Sequence, residues 1–190
     1  MSRYVTHRRH LALAIAAVAA VALAVGPTSL AESRSATLAR SIVHQINSVR
    51  REHGLAPLVL STKLSAAARQ HTDEMGSEGY FAHESVDQSA LWKRVERWYP
   101  STGCYWTVGE NLLWRSPDVS PGDVVRMWMD SPGHRANLLS PSWREIGVAA
   151  VRFDSAPGTY GDQPVTIVTA DFGARRCRPV PRGAAKPTAG

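Results

Sequence analysis

The sequence predicts a single α+β domain. The chain has 190 residues, of which 44% are hydrophobic, and its six Trp, five Tyr and three Phe can anchor a core, so disorder throughout is excluded. Apolar residues recur at helical spacing in several segments. Two strand-like segments, 145–153 and 165–172, flank a connection rich in Gly, Pro and Asp that is typical of a hairpin. The sequence has no internal repeat or interdomain linker, so helices around a few strands predict one core.

The other elements precede this hairpin. The first helix is predicted from Leu38, Ile42 and Ile46, whose spacing is close to 3.6 residues. Ser-Pro pairs at 120–121 and 131–132 are typical helix starts, because serine caps the first turn and proline fits its first position. In chain order, we predict helices over 36–53, 61–77 (capped by Ser61) and 89–98, a strand over 105–114, a helix from 120 and a short helical turn over 131–139.

Residues 1–31 are predicted to be a secretory signal peptide. Three arginines and no acid precede an uninterrupted apolar run over 11–25, and residues 29–31 form a small-x-small cleavage signature. A spanning helix needs about 20 apolar residues, so this run is short for a permanent anchor, which is the alternative. We expect a secreted chain with no transmembrane segment after cleavage. The pair Arg8-Arg9 leaves twin-arginine export open beside the general secretory route.

The positive charge of the chain is concentrated at its ends. The whole chain carries +6, but without residues 1–31 it has 19 basic and 16 acidic residues, and without the segment from Arg175 onward it has 14 and 16. A nearly neutral body argues against nucleic acid as a partner. The domain is predicted to span 36–177. The basic, Pro-rich segment 178–190 is predicted to be a disordered tail that can contact an anionic cell envelope.

The two cysteines, Cys104 and Cys177, are predicted to form a disulfide. Two cysteines are too few for a four-cysteine zinc site or a disulfide-dense mini-protein. An exported chain folds in an oxidising compartment, where disulfides persist. Cys177 also lies where the domain is expected to give way to the tail, a place where a covalent link is useful. Two buried free thiols are the alternative.

Three residues are candidates for chemistry. His83 and His134 lie where regular structure is expected to change, and such positions often carry function. Glu110 is a carboxylate in an otherwise apolar strand, where a charge needs a partner. Together they would make a three-ligand site for zinc or another divalent metal, or an acid–base site. The sequence contains neither H-E-x-x-H nor G-x-S-x-G, so the spacing does not decide between these sites and a structural role.

The remaining histidines of the body have no partner at ligand spacing. His44, His53 and His71 lie in predicted helices or at their ends. We interpret them as surface or half-buried helix residues.

Several motifs occur in an order that resembles the CAP superfamily, named for cysteine-rich secretory proteins, antigen 5 and plant pathogenesis-related proteins. The resemblance covers residues 38–173 and is greatest to the bacterial SCP-like branch. The motifs are Ile46-Asn47-Ser48-Val49-Arg50 with Gly54-Leu55-Ala56-Pro57-Leu58, Phe81-Ala82-His83, Gly109-Glu110-Asn111, the run WMDSPGHRAN over 128–137, and Ile146-Gly147-Val148. Each is modest alone, but their shared order is specific.

The resemblance implies an α-β-α sandwich with a small antiparallel sheet between helical layers. It also implies a central cleft with two histidines and acidic residues, to which His83, Glu110 and His134 correspond by position. Animal and plant members add a second Glu in a Trp-x-x-Glu stretch. Here that Glu is missing, and Asp130 either replaces it or only caps the following turn. Two asparagines next to the motif residues, Asn111 and Asn137, are expected to support the site from behind.

The resemblance is consistent with three functions. The first is an extracellular binding module, whose cleft holds a divalent ion such as zinc and whose surface binds a lipid, glycan or protein. The second is a hydrolase, in which the imidazoles and the carboxylate activate water to cleave a peptide or ester. The third is a structural domain associated with the cell envelope. The motif for catalysis is incomplete, so His83, Glu110 and His134 are candidate catalytic residues only, and we expect a monomer.

Overall fold

The computed structural model describes residues 27–177, which form helices on both faces of a four-stranded sheet. Residues 1–26 and 178–190 lie outside the described part, so most of the signal peptide over 1–31 and the whole tail stay predictions. The elements are α1 (Pro27–Glu52), β1 (Val59–Leu60), α2 (Thr62–Glu78), α3 (Leu91–Trp98), β2 (Tyr105–Arg115), α4 (Pro121–Asp130), α5 (Pro132–Leu138), β3 (Glu145–Ala156), a 3-10 turn (Gly158–Tyr160) and β4 (Gln163–Arg176).

The serines that the sequence marks as helix caps stand at helix starts. Ser61 accepts a hydrogen bond from the backbone N–H of Leu64 at 3.4 Å. Ser120 accepts one from the backbone N–H of Asp123 at 3.1 Å. Ser131 also occupies the N-cap of its helix, but its side chain makes no capping hydrogen bond. Serine therefore marks all three starts and satisfies a free backbone donor at two of them.

The first helix is longer than predicted. It begins at Pro27, so the predicted start at residue 36 is wrong. Proline is favoured in the first turn of a helix, and the Ser, Ala, Glu and Arg residues that follow do not interrupt one. The helix therefore runs through the predicted cleavage signature at 29–31. No helix within residues 27–177 is long and apolar enough to cross a membrane.

The sheet has the strand order β1-β3-β4-β2. Both β2 and β3 pair with β4 in antiparallel fashion, which confirms the expected sheet and the hairpin of β3 and β4. The short β1 pairs in parallel with β3 and makes the sheet mixed. It was not predicted, because a strand of two residues has no periodicity to detect. β2 lies at one edge of the sheet, and the site is built there.

Alternate residues of β4 face two different helical layers. Val168 and Phe172 pack in one apolar cluster with residues of α1, α4 and α5. Val165 and Ile167 pack on the opposite face with Met75 of α2. A third cluster joins α2 to α3 on that same side. This two-sided burial, which follows from the two-residue period of a strand, confirms the α-β-α sandwich.

The predicted disulfide between Cys104 and Cys177 is confirmed. It joins the residue before β2 to the residue after β4, so it closes the end of the antiparallel pair. Arg175 lies over the ring of Tyr99 with its guanidinium carbon 3.9 Å from the ring centre, and its Nη2 atom is 3.6 Å from a carboxylate oxygen of Glu145. The end of β4 is thereby held by covalent, stacking and ionic contacts.

A glycine in β3 allows α2 to approach the sheet closely. A Cβ atom at Gly147 would lie 2.0 Å from the backbone nitrogen of Ser65 and 2.6 Å from the Cβ of Leu64. Backbone atoms of a packed helix cannot yield as the tip of a flexible side chain can. The short distance between helix and strand therefore depends on the absence of a side chain at this position.

We predict that Gly147→Ala lowers the free energy of unfolding by about 3 kcal/mol, at the upper end of overpacking costs, because α2 must move away from β3. Urea denaturation measures the change. The matched control is Gly122→Ala, since the nearest atom to a Cβ there is 4.0 Å away. That variant should leave stability unchanged or raise it by up to about 1 kcal/mol. Equal effects of the two substitutions would contradict the packing argument.

Candidate functional site

The candidate residues come from three elements around the edge strand. Glu110 lies in the middle of β2, His83 lies in the loop between α2 and α3, and His134 lies in α5. The Nδ1 atom of His83 is 2.8 Å from Oε1 of Glu110, although 27 residues separate them. Partial burial lowers the pKa of His134, and the charge of His83 lowers it further.

Both carboxylate oxygens of Glu110 are engaged. Oε1 accepts the hydrogen of His83 Nδ1, and Oε2 lies 2.6 Å from Nη2 of Arg94. Glu110 and Arg94 are both buried, with 4% and 1% of their surfaces exposed. A buried carboxylate is tolerated when a charge and hydrogen bonds compensate it, as they do here. The hydrogen bond to Glu110 also raises the pKa of His83, against the lowering effect of its partial burial.

A second buried acid lies next to Glu110. Asp171 on β4 is the cross-strand partner of Glu110 and is fully buried. Burial raises the pKa of Asp171 well above its usual range, and the negative charge of Glu110 raises it further. An ionised Asp171 has no donor for either oxygen within residues 27–177, whereas the protonated acid can donate to Glu110. Burial and the neighbouring carboxylate therefore both favour the neutral form of Asp171, while Arg94 offsets the charge of Glu110.

His71 also belongs to the site, so its interpretation as a surface or half-buried helix residue is wrong. Its side chain is 0% exposed. Its Nε2 atom donates to the carbonyl oxygen of Ala82 at 2.9 Å and lies 4.0 Å from Oε2 of Glu110. Burial lowers the pKa of His71, against the raising effect of the Glu110 charge. His44 and His53, by contrast, are exposed, as interpreted.

Two asparagines join α5 to the edge strand. Asn111 Nδ2 donates to the carbonyl oxygen of His134 at 3.0 Å. Asn137 Nδ2 donates to the carbonyl oxygen of Glu110 at 3.0 Å and to Oδ1 of Asn111 at 2.9 Å. These bonds hold the helix that carries His134 against the strand that carries Glu110.

Asp130 lies apart from this network. Its side chain is 71% exposed, and its carboxylate is 3.9 Å from Nη1 of Arg126. It makes no hydrogen bond or ion pair with His83, Glu110 or His134. The buried acid beside Glu110 is instead Asp171, which comes from β4 and not from the Trp-x-x-Glu position.

The side chains of His83, Glu110 and His134 limit the kinds of metal site that are possible here. No group of three or more His, Cys, Asp or Glu side chains within residues 27–177 is arranged to hold one. Glu110 is already bound at both oxygens, so it fits the role of a hydrogen-bond partner to a ligand better than that of a ligand. The imidazoles of His83 and His134 are left as nitrogen donors. A closed zinc site with four protein ligands does not fit this donor set.

A sizeable cavity lies away from these residues. It has a volume of about 660 Å³ and is formed between the start of α1 and the far ends of β3 and β4. Two of its lining residues, Leu30 and Ala31, fall within the predicted signal peptide, so cleavage would remove part of its wall. We place the functional site at His83 and Glu110 because converging polar groups, not volume, indicate chemistry.

The comparison with protein families agrees with this architecture. The model of the CAP family, described as the cysteine-rich secretory protein family, matches residues 43–172. This chain belongs to the CAP family. The "uncharacterized protein YkwD" of Bacillus subtilis (strain 168) is 33% identical over 128 residues, which are 67% of this chain and 48% of that protein. The "uncharacterized membrane protein YlbC" of the same strain is 30% identical over 116 residues, which are 61% of this chain and 32% of that protein. This CAP chain thus spans about half of the first relative and about a third of the second.

Solved structures share the CAP fold at low sequence identity. An extracellular protein containing an SCP domain from Bacillus anthracis str. Ames has a TM-score of 0.60 and 24% identity, covering 77% of this chain and 43% of that one. An outer surface protein from Borrelia burgdorferi has a TM-score of 0.56 and 20% identity, covering 72% of this chain and 92% of that one. At these identities the likeness shows the fold alone.

We predict that Asp171→Asn becomes progressively more stable, relative to wild type, as the pH rises from about 4.5 to about 7.5. The folded-state pKa of Asp171 is raised, so the folded protein keeps a proton that the unfolded chain releases above about 3.8. Wild-type stability therefore loses up to about 1.4 kcal/mol per pH unit in this window, and a neutral amide removes that loss.

Urea unfolding at a series of pH values measures the difference. Asp130→Asn, at the exposed carboxylate beside Arg126, is the control and should give a flat difference. A flat difference for Asp171→Asn as well would show that Asp171 is ionised in the folded protein.

Proposed function

We propose that this CAP protein is a secreted extracellular binding module whose ligand site is the cleft at His83 and His134, and that the cleft can hold a divalent metal ion, zinc foremost. The composition of residues 1–31 supports export. The structural relatives are described as an extracellular protein and an outer surface protein. The nearly neutral body favours an extracellular lipid, glycan or protein over nucleic acid as the partner.

The observation that carries the proposal is the contact between His83 and Glu110. A carboxylate oxygen at 2.8 Å from Nδ1 accepts a hydrogen, so the proton of the neutral ring is on Nδ1. The lone pair is then on Nε2. Half of the His83 side chain is exposed (52%), whereas Glu110 beneath it is not. A buried acid that orients an accessible imidazole is the arrangement found behind metal-binding histidines.

The residues of the cleft would divide the work of holding a cation. His83 and His134 would supply the donor nitrogens, Glu110 would orient the first ring, and Asn111 would hold the backbone of the second. When bound, a divalent ion supplies Lewis acidity and polarises groups bound to it. Two protein donors leave several positions for groups of the ligand. The proposed cation therefore joins the module to its ligand and is not a structural ion of the fold.

We predict one-to-one zinc binding by the wild-type protein in calorimetry at about pH 7.5, and a loss of at least about 100-fold in the His83→Ala/His134→Ala variant, because both donor nitrogens are gone. The matched control is His44→Ala/His53→Ala, which removes two exposed imidazoles from outside the cleft. Glu110→Gln should weaken binding about 10- to 100-fold, because it no longer fixes the proton on Nδ1. A folded wild-type protein that binds no zinc, or equal losses in the two double variants, would contradict the proposal.

The same contact favours hydrolysis as a second candidate function. An imidazole oriented by a buried carboxylate is suited to remove a proton from water, with Nε2 of His83 as the base. The carbon attacked by that water would be a peptide or ester carbonyl. Glu110 would orient the base and would not itself remove the proton, since both of its oxygens are engaged.

If the protein is a hydrolase, His83→Ala should lower turnover by about 100-fold or more on the substrate that is cleaved, while Asp130→Asn should leave it unchanged. A panel of peptides and esters, assayed with the folded variants, measures this. Equal turnover by wild type and His83→Ala would sink the catalytic role. Absence of both zinc binding and turnover would favour the structural, envelope-associated domain.

A further inference from the structure

The backbone beside His83 is held by side chains and not by secondary structure. Within the described residues, no backbone-to-backbone hydrogen bond involves residues 80–84. Three of the carbonyl groups in this stretch instead accept hydrogen bonds from side chains of other elements. The contacts are Tyr160 Oη to Tyr80 O at 2.7 Å, His71 Nε2 to Ala82 O at 2.9 Å, and Arg94 Nη1 to His83 O at 3.2 Å.

Two of these donors bracket His83 itself. His71 bonds the carbonyl group of the preceding residue, Ala82, and Arg94 bonds the carbonyl group of His83. The two donors are 0% and 1% exposed, and they come from α2 and α3. Fixing successive carbonyl groups limits rotation of the backbone between them. The position of the His83 Cβ atom is therefore fixed by buried side chains of two different helices.

Arg94 controls the ring as well as the backbone. While its Nη1 atom bonds the carbonyl group of His83, its Nη2 atom bonds Oε2 of Glu110 at 2.6 Å. Oε1 of Glu110 in turn accepts from His83 Nδ1 at 2.8 Å. One guanidinium thus closes a loop of contacts that begins and ends on the same histidine. A lysine side chain is shorter and carries one donor nitrogen, which cannot stand at the positions of both Nη1 and Nη2.

His71 occupies a position where an apolar residue would otherwise be expected. The other buried residues of the same helix include Leu64, Ala67 and Met75. A polar ring in such a place costs stability unless its hydrogen bond compensates the burial. Its Nε2 atom bonds the residue before His83, and its Nδ1 atom lies 3.4 Å from Oη of Tyr80 and 3.5 Å from a carboxylate oxygen of Glu74. Two of these three contacts are made to the segment that carries His83, which explains a polar ring at this position.

We propose that His71 and Arg94 are positioning residues, which fix the backbone and ring of His83 before anything binds in the cleft. The proposal rests on the proposed function in one respect, since a fixed His83 matters for binding only if the cleft binds. Its structural part stands separately. In the free protein, the segment 80–85 should be ordered because of these two side chains.

The test compares two substitutions of His71 that differ only in the donor. His71→Gln keeps an N–H donor near the position of Nε2, and His71→Leu fills similar space with none. Hydrogen exchange of the Ser85 amide, which donates to the carbonyl oxygen of Ser89 at 3.0 Å, is measured on the metal-free, full-length protein, with amides of β3 as the internal reference. Zinc affinity is measured by calorimetry on the same samples. We expect His71→Leu to speed exchange of the Ser85 amide and to weaken zinc binding, each by about 10-fold or more, and His71→Gln to restore both substantially.

Arg94→Lys provides the second variant, in case the leucine variant does not fold. It keeps a charge beside Glu110 but loses one of the two contacts, so exchange of the Ser85 amide should become faster while exchange in β3 is unaffected. Folded His71→Leu or Arg94→Lys proteins with wild-type exchange and wild-type affinity would overturn the positioning role. If the wild type binds no zinc, the proposed function fails, and the exchange comparison alone decides this proposal.

Discussion

A carboxylate buried on the edge strand of a sheet must be compensated, and the compensation of Glu110 determines the arrangement of the cleft. Arg94 neutralises its charge, His83 donates to its second oxygen, and the buried Asp171, whose pKa is raised, lies beside it. These partners come from α3, from the loop after α2 and from β4. Removing Arg94 or His83 leaves an oxygen of Glu110 without its partner, so α3 and the loop after α2 are tied to β2 through a single side chain.

The edge position of β2 imposes a second requirement. Carbonyl groups on the open side of an edge strand need partners other than a neighbouring strand. Nδ2 of Asn137 in α5 donates to the carbonyl oxygen of Glu110 at 3.0 Å. Nε1 of Trp128 in α4 donates to the carbonyl oxygen of Leu112, also at 3.0 Å. The side chains that cover the edge therefore also bring the helix of His134 to the cleft. The contacts that cover the edge of the sheet therefore also help to assemble the site.

Parts of this buried network left signals in the sequence that could be read in retrospect. Arg94 stands with Leu91, Val95 and Trp98 at the spacing of one helix face, so a charge falls where an apolar residue is expected. Asp171 follows Val165 and Ile167 at the two-residue period of an inward-facing strand side. Each is a charged residue at an otherwise apolar position, and this pattern indicates a buried charge that needs a partner. His71 gave a weaker signal, because a histidine on a helix face is common.

Other features could not be found from the chain alone. The short β1 exists only because β3 offers it a partner, and α1 extends through a segment that also has the composition of a cleavage site. The sequence alone also could not show whether Asp130 or Asp171 is the acid beside Glu110. Sequence distance favours Asp130, which lies near His134, but the pairing of β2 with β4 puts Asp171 opposite Glu110.

Local patterns in the sequence were enough to predict the helices from periodicity and caps, the three long strands, the disulfide of Cys104 and Cys177, and the motif order of the CAP family. Which polar groups are partners follows instead from how the elements pack in three dimensions. The reason is that a helix or strand pattern specifies which face of an element is buried, whereas the residue that meets that face depends on strand register and helix docking. The contact between His83 and Glu110, separated by 27 residues, exists through that docking alone.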